Sequence, residues 1–287
     1  MMIARYPRWL LAGLLLFFSG PDPAHAQVWQ VTQGDVLTIE KTVPDGKLAV
    51  QAWGISWPFK PLGNGRVKAW IGVDMKARAG THALLWKIQQ PNGHTVQQKD
   101  TIQVHKGEFR ISRITVEKKM AEFDIPTLAR IRADQKVLKQ AYRQHVDARP
   151  EIRMLTMPAA GIMSTPFGAQ RYVNGEPRSP HSGIDIAAAE GTPIMNPLAG
   201  KVLLVEDMYL NGHTVVIGHG HGLVSVFSHL KSVDVRPNAW IETGETIGQV
   251  GRSGRATGPH LHWGIRFYRA RINPLSITAA TVSTLTN

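Results

Sequence analysis

The sequence predicts a mainly β protein with an N-terminal β-sandwich, a helical linker and a C-terminal antiparallel β domain. Short apolar or alternating runs, separated by glycine and proline, fill residues 27–112 and recur through residues 151–277. Residues 113–150 are mostly basic and polar, and their apolar residues recur at helical spacing. A chain of 287 residues is long enough for these two domains and the linker between them.

Residues 1–26 have the features of a signal peptide. Arg5 and Arg8 precede an unbroken apolar run at 9–18, and small residues surround a predicted cleavage site in Ala24-His25-Ala26. A retained membrane anchor is the alternative. The apolar run is shorter than the ~20 residues that cross a bilayer, so cleavage is favoured and no stable transmembrane span is expected afterwards. The protein is therefore expected to be periplasmic or secreted.

The net charge of +12 falls to +11 without residues 1–26, which carry Arg5, Arg8 and Asp22. Such an excess favours anionic partners. An exported protein meets wall polymer, lipopolysaccharide or phospholipid head groups, so no nucleic-acid partner is expected, and a solvated basic surface is the alternative. The absence of cysteine excludes disulfides, thiolate zinc sites and a cysteine nucleophile. Any metal must be held by His, Asp or Glu.

The N-terminal region is predicted to be an immunoglobulin-like sandwich because short strands alternate with turns. A turn with an Asn-Gly pair, Pro91-Asn92-Gly93, suggests a hairpin. Trp53, Trp57 and Trp70 are interpreted as core residues rather than a ligand surface. The predicted strands are Val36–Ile39, Leu48–Val50, Ala69–Val73 and Ala83–Trp86.

The linker is predicted to contain a helix over residues 126–148 that joins the two domains. Pro126 suits the first helical turn. A helix that binds nucleic acid is disfavoured because Asp134 and Asp147 interrupt the basic residues. One narrow apolar stripe is formed by Leu128, Ile131, Leu138 and Tyr142.

The C-terminal domain, residues 151–277, contains seven of the twelve histidines, and the last ten residues are interpreted as a loose tail. His213, His219 and His221 lie beside glycines and are interpreted as turn residues. The predicted strands of this antiparallel domain are Lys201–Val205, Thr214–Ile217, Leu223–Phe227 and His260–Phe267.

His260 and His262 begin an alternating run in which the apolar residues occupy the other positions. Residues i and i+2 of a strand point to the same face, so both imidazoles should project together. His181 and Asp185 lie in a second segment, His181-Ser182-Gly183-Ile184-Asp185. Either motif alone is compatible with an ordinary surface. Two imidazoles and one carboxylate form a ligand set that suits zinc (Zn²⁺), with a fourth position open for the water that hydrolysis needs.

The two motifs together resemble the signatures of the lysostaphin-like (LytM-type) zinc metallopeptidases, His-x-Gly-x-Asp and His-x-His. The resemblance extends over residues 154–275. Further segments that carry it are Ser164-Thr165-Pro166-Phe167-Gly168 with Arg171, Gly191-Thr192-Pro193-Ile194, Ala199-Gly200-Lys201-Val202, Val226-Phe227-Ser228-His229-Leu230, Gly244-Glu245-Thr246-Ile247-Gly248 and Thr257-Gly258-Pro259. The resemblance implies an antiparallel β groove with zinc at its floor, which cleaves peptide cross-links of peptidoglycan at the cell wall. Direct D-alanine–diaminopimelate cross-links of a Gram-negative wall are favoured, because the chain has no cysteine and has an export signal of the periplasmic kind.

The resemblance also implies roles for five residues. His181, Asp185 and His262 would bind zinc. His260 and His229 would assist catalysis without binding it, His260 as general base and His229 as the oxyanion or water-orienting partner, with the reverse assignment open. In some family members a segment before the domain fills the open metal position, but residues 27–150 do not match such a segment.

Three functions compete. The first is a zinc endopeptidase of the wall, which the presence of all five residues favours. The second is a non-catalytic regulator. Some members of the resembled family have lost metal ligands and only activate other hydrolases. The third is a wall-binding module, for which the N-terminal region is the candidate. Residues 27–150 are expected to form a separable accessory unit that limits access to the groove or directs the enzyme to the wall, so that a chain starting near Glu151 should fold and bind zinc. The oligomeric state is not indicated by the sequence.

Overall fold

The computed structural model describes residues 26–118, 121–148 and 155–278. Residues 1–25 of the predicted signal peptide and residues 279–287 of the predicted tail lie outside the described part. Within the described part, no helix has the length and apolar character that a membrane span requires.

The described residues form a mainly β fold with one α-helix, as predicted. The helix is α1 at Ile125–Ala141, and a short 3-10 helix follows at Pro274–Ile277. The strands are β1 Val28–Thr32, β2 Val36–Thr42, β3 Lys47–Ala52, β4 Ile55–Trp57, β5 Phe59–Gly63, β6 Arg66–Gly72, β7 Gly80–Gln89, β8 Thr95–His105, β9 Ile111–Ile114, β10 Ile162–Thr165, β11 Gln170–Val173, β12 Glu176–Pro177, β13 Gly183–Ala187, β14 Pro193–Met195, β15 Gly200–Met208, β16 Gly212–Gly220, β17 Leu223–Val233, β18 Trp240–Ile241, β19 Thr246–Val250, β20 His260–Phe267 and β21 Ala270–Ile272.

The N-terminal region contains a five-stranded sheet, ordered β1-β8-β7-β3-β4, and a three-stranded sheet, ordered β2-β6-β5. The Asn92-Gly93 turn joins β7 to β8, which confirms the predicted hairpin. Alternate residues of β7, including Leu84 and Trp86, are fully buried. Both sheets contribute to one hydrophobic cluster, while an immunoglobulin-like topology stays a prediction.

The tryptophans of this region divide into two groups. Trp57 and Trp70 are buried, at 3% and 4% exposure, so their assignment to the core is correct. Trp53 is 39% exposed and lies at the β3–β4 turn, where its indole nitrogen faces Nδ1 of His82 at 3.1 Å. The core assignment of Trp53 is therefore wrong, because a hairpin tip has no neighbouring sheet to cover it.

The C-terminal region is a ten-stranded antiparallel sheet with the central order β10-β13-β20-β17-β16-β15-β18. The predicted antiparallel β domain is therefore confirmed. Strand β20 coincides with the predicted run and lies between β13 and β17. Its apolar face, formed by Leu261, Trp263, Ile265 and Phe267, is buried. The histidine-bearing face is thereby directed away from the core.

The two regions pack tightly against each other. Trp57 contacts Phe267 edge-on, with ring centroids 5.1 Å apart, and both belong to one hydrophobic cluster. Arg271 donates from its backbone and side chain to Asp74, at 2.8 and 2.9 Å. Strand β9 pairs in parallel with β11. The hydrophobic core is continuous from one region to the other and so marks no boundary between them. The predicted domain boundaries therefore stay predictions.

Helix α1 begins where Asp124 accepts a hydrogen bond from the backbone N–H of Thr127 at 2.8 Å, with Pro126 in the first turn. It ends at Ala141 rather than continuing to residue 148. Beyond it, Val146 packs in a small apolar cluster with Leu203. That burial stabilises an extended path for the segment that was predicted to be helical.

Candidate metal centre

Strands β13, β20 and β17 place polar side chains around one point of the groove. Asp185 on β13 is directly opposite His262 on β20, and Ser228 on β17 is opposite His262 on the other side. His260 is two residues earlier on β20 and so points to the same face. The strand alternation anticipated from the sequence is thus what brings two separate motifs together.

His181 precedes β13 and is fixed by its backbone. Its N–H donates to the carbonyl of Ala169 at 2.8 Å, and its own carbonyl accepts from the N–H of Gly168 at 2.8 Å. The ring Nδ1 lies 3.0 Å from the carbonyl oxygen of Pro166, an acceptor only, so Nδ1 carries the proton. The Nε2 atom is therefore left with a lone pair that faces the groove.

Three side-chain atoms converge at the floor of the groove. Nε2 of His181, Nδ1 of His262 and Oδ1 of Asp185 are each 2.8 Å from the other two. The three residues are buried, with exposures of 1%, 9% and 5%. They are the group of potential metal ligands found in the described part of the chain. Two imidazoles and a carboxylate aimed at one point fit a zinc ion.

Asp185 is held as an anion. Burial acts to raise its pKa, but the close contacts of its Oδ1 with the rings of His181 and His262 outweigh burial and keep that pKa well below the ordinary range. Its second oxygen, Oδ2, accepts from Nη2 of Arg171 at 3.2 Å. Burial also lowers the pKa of His181 to about 4, so this imidazole is neutral at neutral pH, as a metal ligand must be.

His229 reaches the groove because of a β-bulge. Ser228 and His229 on β17 face the single residue Thr214 on β16. His229 has a φ of 67°, a left-handed conformation that is uncommon for a residue other than glycine. Its ring lies 4.7 Å from that of His260 and 6.3 Å from that of His262, measured between centroids. The bulge therefore turns His229 towards the other histidines.

The two remaining histidines of the site have the same tautomer. Nδ1 of His229 donates to the carbonyl of Ser253 at 2.8 Å, and Nδ1 of His260 donates to that of Gly258 at 2.9 Å. Both rings are thus oriented through Nδ1. Burial, followed by the charges of His260 and His262, lowers the pKa of His229 to about 3. His229 is accordingly neutral at neutral pH.

Comparison with known proteins agrees with this geometry. A family model described as Peptidase family M23 matches residues 179–274, the segment that contains the converging ligands. The chain carries a peptidase M23 domain. This confirms the resemblance to the lysostaphin-like (LytM-type) peptidases that the motifs suggested.

Relatives of the M23 domain include two curated bacterial enzymes. DD-carboxypeptidase/endopeptidase Mpg of Neisseria meningitidis serogroup B is 34% identical over 119 residues, which cover 42% of this chain and 27% of Mpg. Peptidoglycan DD-endopeptidase ShyA of Vibrio cholerae is 36% identical over 85 residues, which cover 30% of this chain and 20% of ShyA. The matches thus span about a quarter of these relatives.

A solved structure extends the likeness beyond the M23 domain. A crystal structure from Pseudomonas aeruginosa assigned to peptidase M23 aligns with a TM-score of 0.66 and 29% identity. The alignment covers 86% of this chain and 94% of that one. The arrangement of the N-terminal sheets with the M23 domain is therefore shared by another protein.

The other histidines of the M23 domain do not join the metal centre. His219, interpreted as a turn residue, lies within β16 and is fully buried. Its Nε2 is 2.8 Å from Oγ of Ser225, and burial lowers its pKa to about 4. The turn assignments of His213 and His219 are wrong because both residues lie within β16, which runs from Gly212 to Gly220. His221 does lie in the turn after β16.

Gly183 is the central residue of the His-x-Gly-x-Asp motif, and a side chain there has no space. An added Cβ would lie 2.8 Å from the carbonyl carbon of Trp263 and 2.9 Å from Cα of Gly264. Both are backbone atoms of β20, so β13 and β20 would have to separate. Any separation moves Asp185 away from His262.

We expect Gly183→Ala to destabilise the domain by about 1–3 kcal/mol, because overpacking forces a backbone shift. Thermal unfolding followed by circular dichroism measures the effect. Gly258→Ala is the matched control, since an added Cβ meets nothing within 4 Å there. Equal melting temperatures for Gly183→Ala and the wild type would contradict the close approach of the two strands.

A groove of about 720 Å³ runs over the metal centre of the M23 domain. Asp185, His229, His260 and His262 line its floor. The opposite wall comes from helix α1 and its cap, through Leu128, Ile131, Gln135, Leu138 and Tyr142. The apolar stripe predicted for this helix therefore faces the candidate active site, which sequence periodicity alone could not show.

Proposed function

We propose that this protein is an exported zinc metalloendopeptidase that hydrolyses peptide cross-links of peptidoglycan. The convergence of His181, Asp185 and His262, with His229 and His260 beside them in one groove, carries the proposal. The name of ShyA, a peptidoglycan DD-endopeptidase, supports the substrate, and that of Mpg, a DD-carboxypeptidase/endopeptidase, supports the reaction. A periplasmic or secreted location next to the wall follows from the predicted signal peptide.

The chain's own residues suit a zinc ion. His181 through Nε2, His262 through Nδ1 and Asp185 through Oδ1 would hold it. When bound, zinc would polarise the scissile carbonyl and lower the pKa of a water molecule. Arg171 binds the second oxygen of Asp185 and so fixes the direction in which the first one points.

His260 and His229 are proposed to handle protons without binding metal. Both donate from Nδ1 to backbone carbonyls, so Nε2 of each can accept a proton from water in the groove. We assign His260 as general base. Two roles are open to His229: a neutral ring would orient water, and a charged ring would stabilise an oxyanion. The lowered pKa of His229 favours the first role. The residue that takes the proton from water must later release that proton to the leaving amine.

Digestion of purified sacculi tests this function. We expect zinc-loaded protein to convert cross-linked muropeptide dimers to monomers, as seen by mass spectrometry, and a chelator to stop the reaction. The net charge of +11 that remains without residues 1–26 should favour adsorption to the anionic wall, and added salt should weaken that adsorption. If the dimers persist when zinc is bound and the groove has been opened by the Ile131→Asp substitution described below, the enzymatic function is contradicted.

A non-catalytic regulator is the second candidate function. Members of this class act on other hydrolases after losing ligands, whereas His181, Asp185 and His262 all converge here. The proposed sacculi experiment separates the two, because a regulator would leave purified wall intact. A wall-binding role for the N-terminal region is compatible with either function.

We also propose that the linker limits access to the groove. Helix α1 lines it mostly with exposed or half-buried side chains, since its buried residues are Ile131 and Ala141, and Arg130 pairs with Asp207 at the surface with 3.5 Å between Nη2 and Oδ2. Asp134 accepts from the N–H of Tyr209 at 2.8 Å, and Arg266 stacks on Tyr142 with 4.9 Å to the ring centroid. A polar helix held in this way can move aside without disrupting the core.

Ile131→Asp is expected to increase the rate of cleavage, because a carboxylate replaces an apolar side chain that is 7% exposed in the groove wall. Each ~1.4 kcal/mol of packing that is lost raises about tenfold the small population of molecules in which α1 has moved away from the groove. Rates on a soluble cross-linked dimer measure the change. Ala133→Asp, exposed on the same helix, is the control and should match the wild type. An unchanged or lower rate for Ile131→Asp in protein that is folded would contradict the gating role.

A further inference from the structure

The groove has an excess of positive charge, most of which the proposed chemistry does not use. Its lining includes four arginines, Arg171, Arg178, Arg255 and Arg266. Among the described lining residues the carboxylate is Asp185, which is already shared by two histidines and Arg171. A bound zinc would add further positive charge at the floor. The occupant of the groove should therefore carry negative charge.

Arg255 lines the same groove as His229 and His260, on a loop that hydrogen bonds hold in place. Its backbone N–H donates to the carbonyl of Leu210 at 2.9 Å. Two residues earlier, the hydroxyl of Ser253 donates to the carbonyl of Leu230 at 2.8 Å and accepts from the N–H of His213 at 3.0 Å. The carbonyl of Ser253 also holds His229. The loop therefore positions Arg255 and His229 together.

Arg178 lies at the same end of the groove. It ends the β11–β12 hairpin, and its backbone N–H donates to the carbonyl of Arg171 at 2.8 Å. Burial, followed by the positive charges of Arg171 and Arg178, lowers the pKa of Arg255, so the three guanidinium groups are close enough to repel one another. Nη2 of Arg178 donates to the carbonyl oxygen of Ala121 in the linker at 3.1 Å. A carbonyl oxygen of the linker thus already accepts a hydrogen bond from one of these three arginines.

We propose that Arg255, with Arg178 beside it, binds a free carboxylate of the substrate within one residue of the scissile amide. This inference rests on the proposed function and narrows its substrate class. The planar guanidinium fork matches a carboxylate in two parallel hydrogen bonds. Arg255 is five residues before His260 on the loop that leads into β20. Cross-links with a free acid at this position are therefore substrates, and cross-links with the acid amidated are poor ones.

A matched pair of peptides tests the inference. Both contain D-alanine joined to diaminopimelate. In one the carboxylate beside the scissile amide is free, and in the other it is an amide. We expect full-length, zinc-loaded protein to cleave the free acid with a kcat/KM roughly tenfold higher or more, the size of a charge-assisted hydrogen bond. Arg255→Gln should lose this preference, and Arg255→Lys should recover it only in part, because lysine has no fork.

Arg252→Gln is the matched control, since Arg252 is exposed on the same loop and does not line the groove. It should keep the wild-type preference. Equilibrium binding of the same two peptides, N-methylated at the scissile amide, gives a readout that does not need turnover. Equal affinity of wild-type protein for acid and amide, or no measurable affinity for the acid, overturns the inference. Cleavage of both peptides at equal rates overturns it while leaving the endopeptidase function intact.

Discussion

Replacing His262 by alanine is expected to remove zinc from the protein and to abolish hydrolysis of the wall. His262 supplies one of three converging ligand atoms, and its Nδ1 lies 2.8 Å from both Nε2 of His181 and Oδ1 of Asp185. Two remaining ligands make a weak and incomplete site, because catalytic zinc is usually held by three. The zinc content of the dialysed protein, measured by metal analysis, should fall from about one zinc per chain to near zero.

His213→Ala provides the control for this loss. His213 belongs to the same domain, lies exposed on β16 and is not part of the ligand group. Its removal should leave zinc content and activity unchanged. Circular dichroism should show that both variants are folded. Full stoichiometric zinc in His262→Ala would remove His262 from the ligand set.

His260→Ala and His229→Ala are expected to keep zinc and the fold but to lose turnover by about a hundredfold or more, as for removal of an acid–base group. Each ring donates from Nδ1 to a backbone carbonyl and presents Nε2 to the groove. Neither ring contributes to the converging ligand group. Cleavage rates on a soluble dimer, measured beside zinc content, separate catalysis from metal binding.

The two variants also separate the roles of these histidines. If His260 is the general base, His260→Ala should lose the rise of kcat/KM with pH that reports the base, whereas His229→Ala should keep that rise at a lower rate. The opposite pattern would exchange their roles. Loss of zinc from either variant would make that residue a ligand and would contradict both assignments.

The metal centre could be predicted from the sequence because it depends on local regularities. Alternation along β20 places His260 and His262 on one face, and the pairing of β13 with β20 sets Asp185 opposite His262. An alternating run with one buried face fixes its own register, since a shift by one residue would bury the histidines. The strand predicted at residues 260–267 therefore has the predicted bounds.

Other features depend on contacts that no local pattern contains. The bulge at Ser228 and His229 inserts one residue opposite Thr214, and the sequence around it is an ordinary apolar strand. The position of helix α1 over the groove results from tertiary contacts such as that of Asp134 with Tyr209, which are 75 residues apart. Periodicity predicted the apolar stripe of this helix but could not identify what the stripe faces.

The continuity of the core bears on how the N-terminal region acts. Trp57 packs on Phe267 of β20, and Asp74 binds Arg271 of β21, so the strand that carries His260 and His262 and the strand after it are both braced by residues more than 190 positions earlier. A fragment that begins near Glu151 would expose these contacts. The N-terminal region therefore has a packing role in addition to any role in targeting, and the full chain is the better object for the experiments proposed here.

Diffraction from crystals of the zinc-loaded full chain, recorded above and below the zinc absorption edge, tests the central claim most directly. The account predicts one strong anomalous peak between Nε2 of His181, Nδ1 of His262 and the carboxylate of Asp185. The same maps should show His229 and His260 outside bonding distance of that peak. A peak held by His229 or His260, or the absence of any peak among His181, Asp185 and His262, would contradict it.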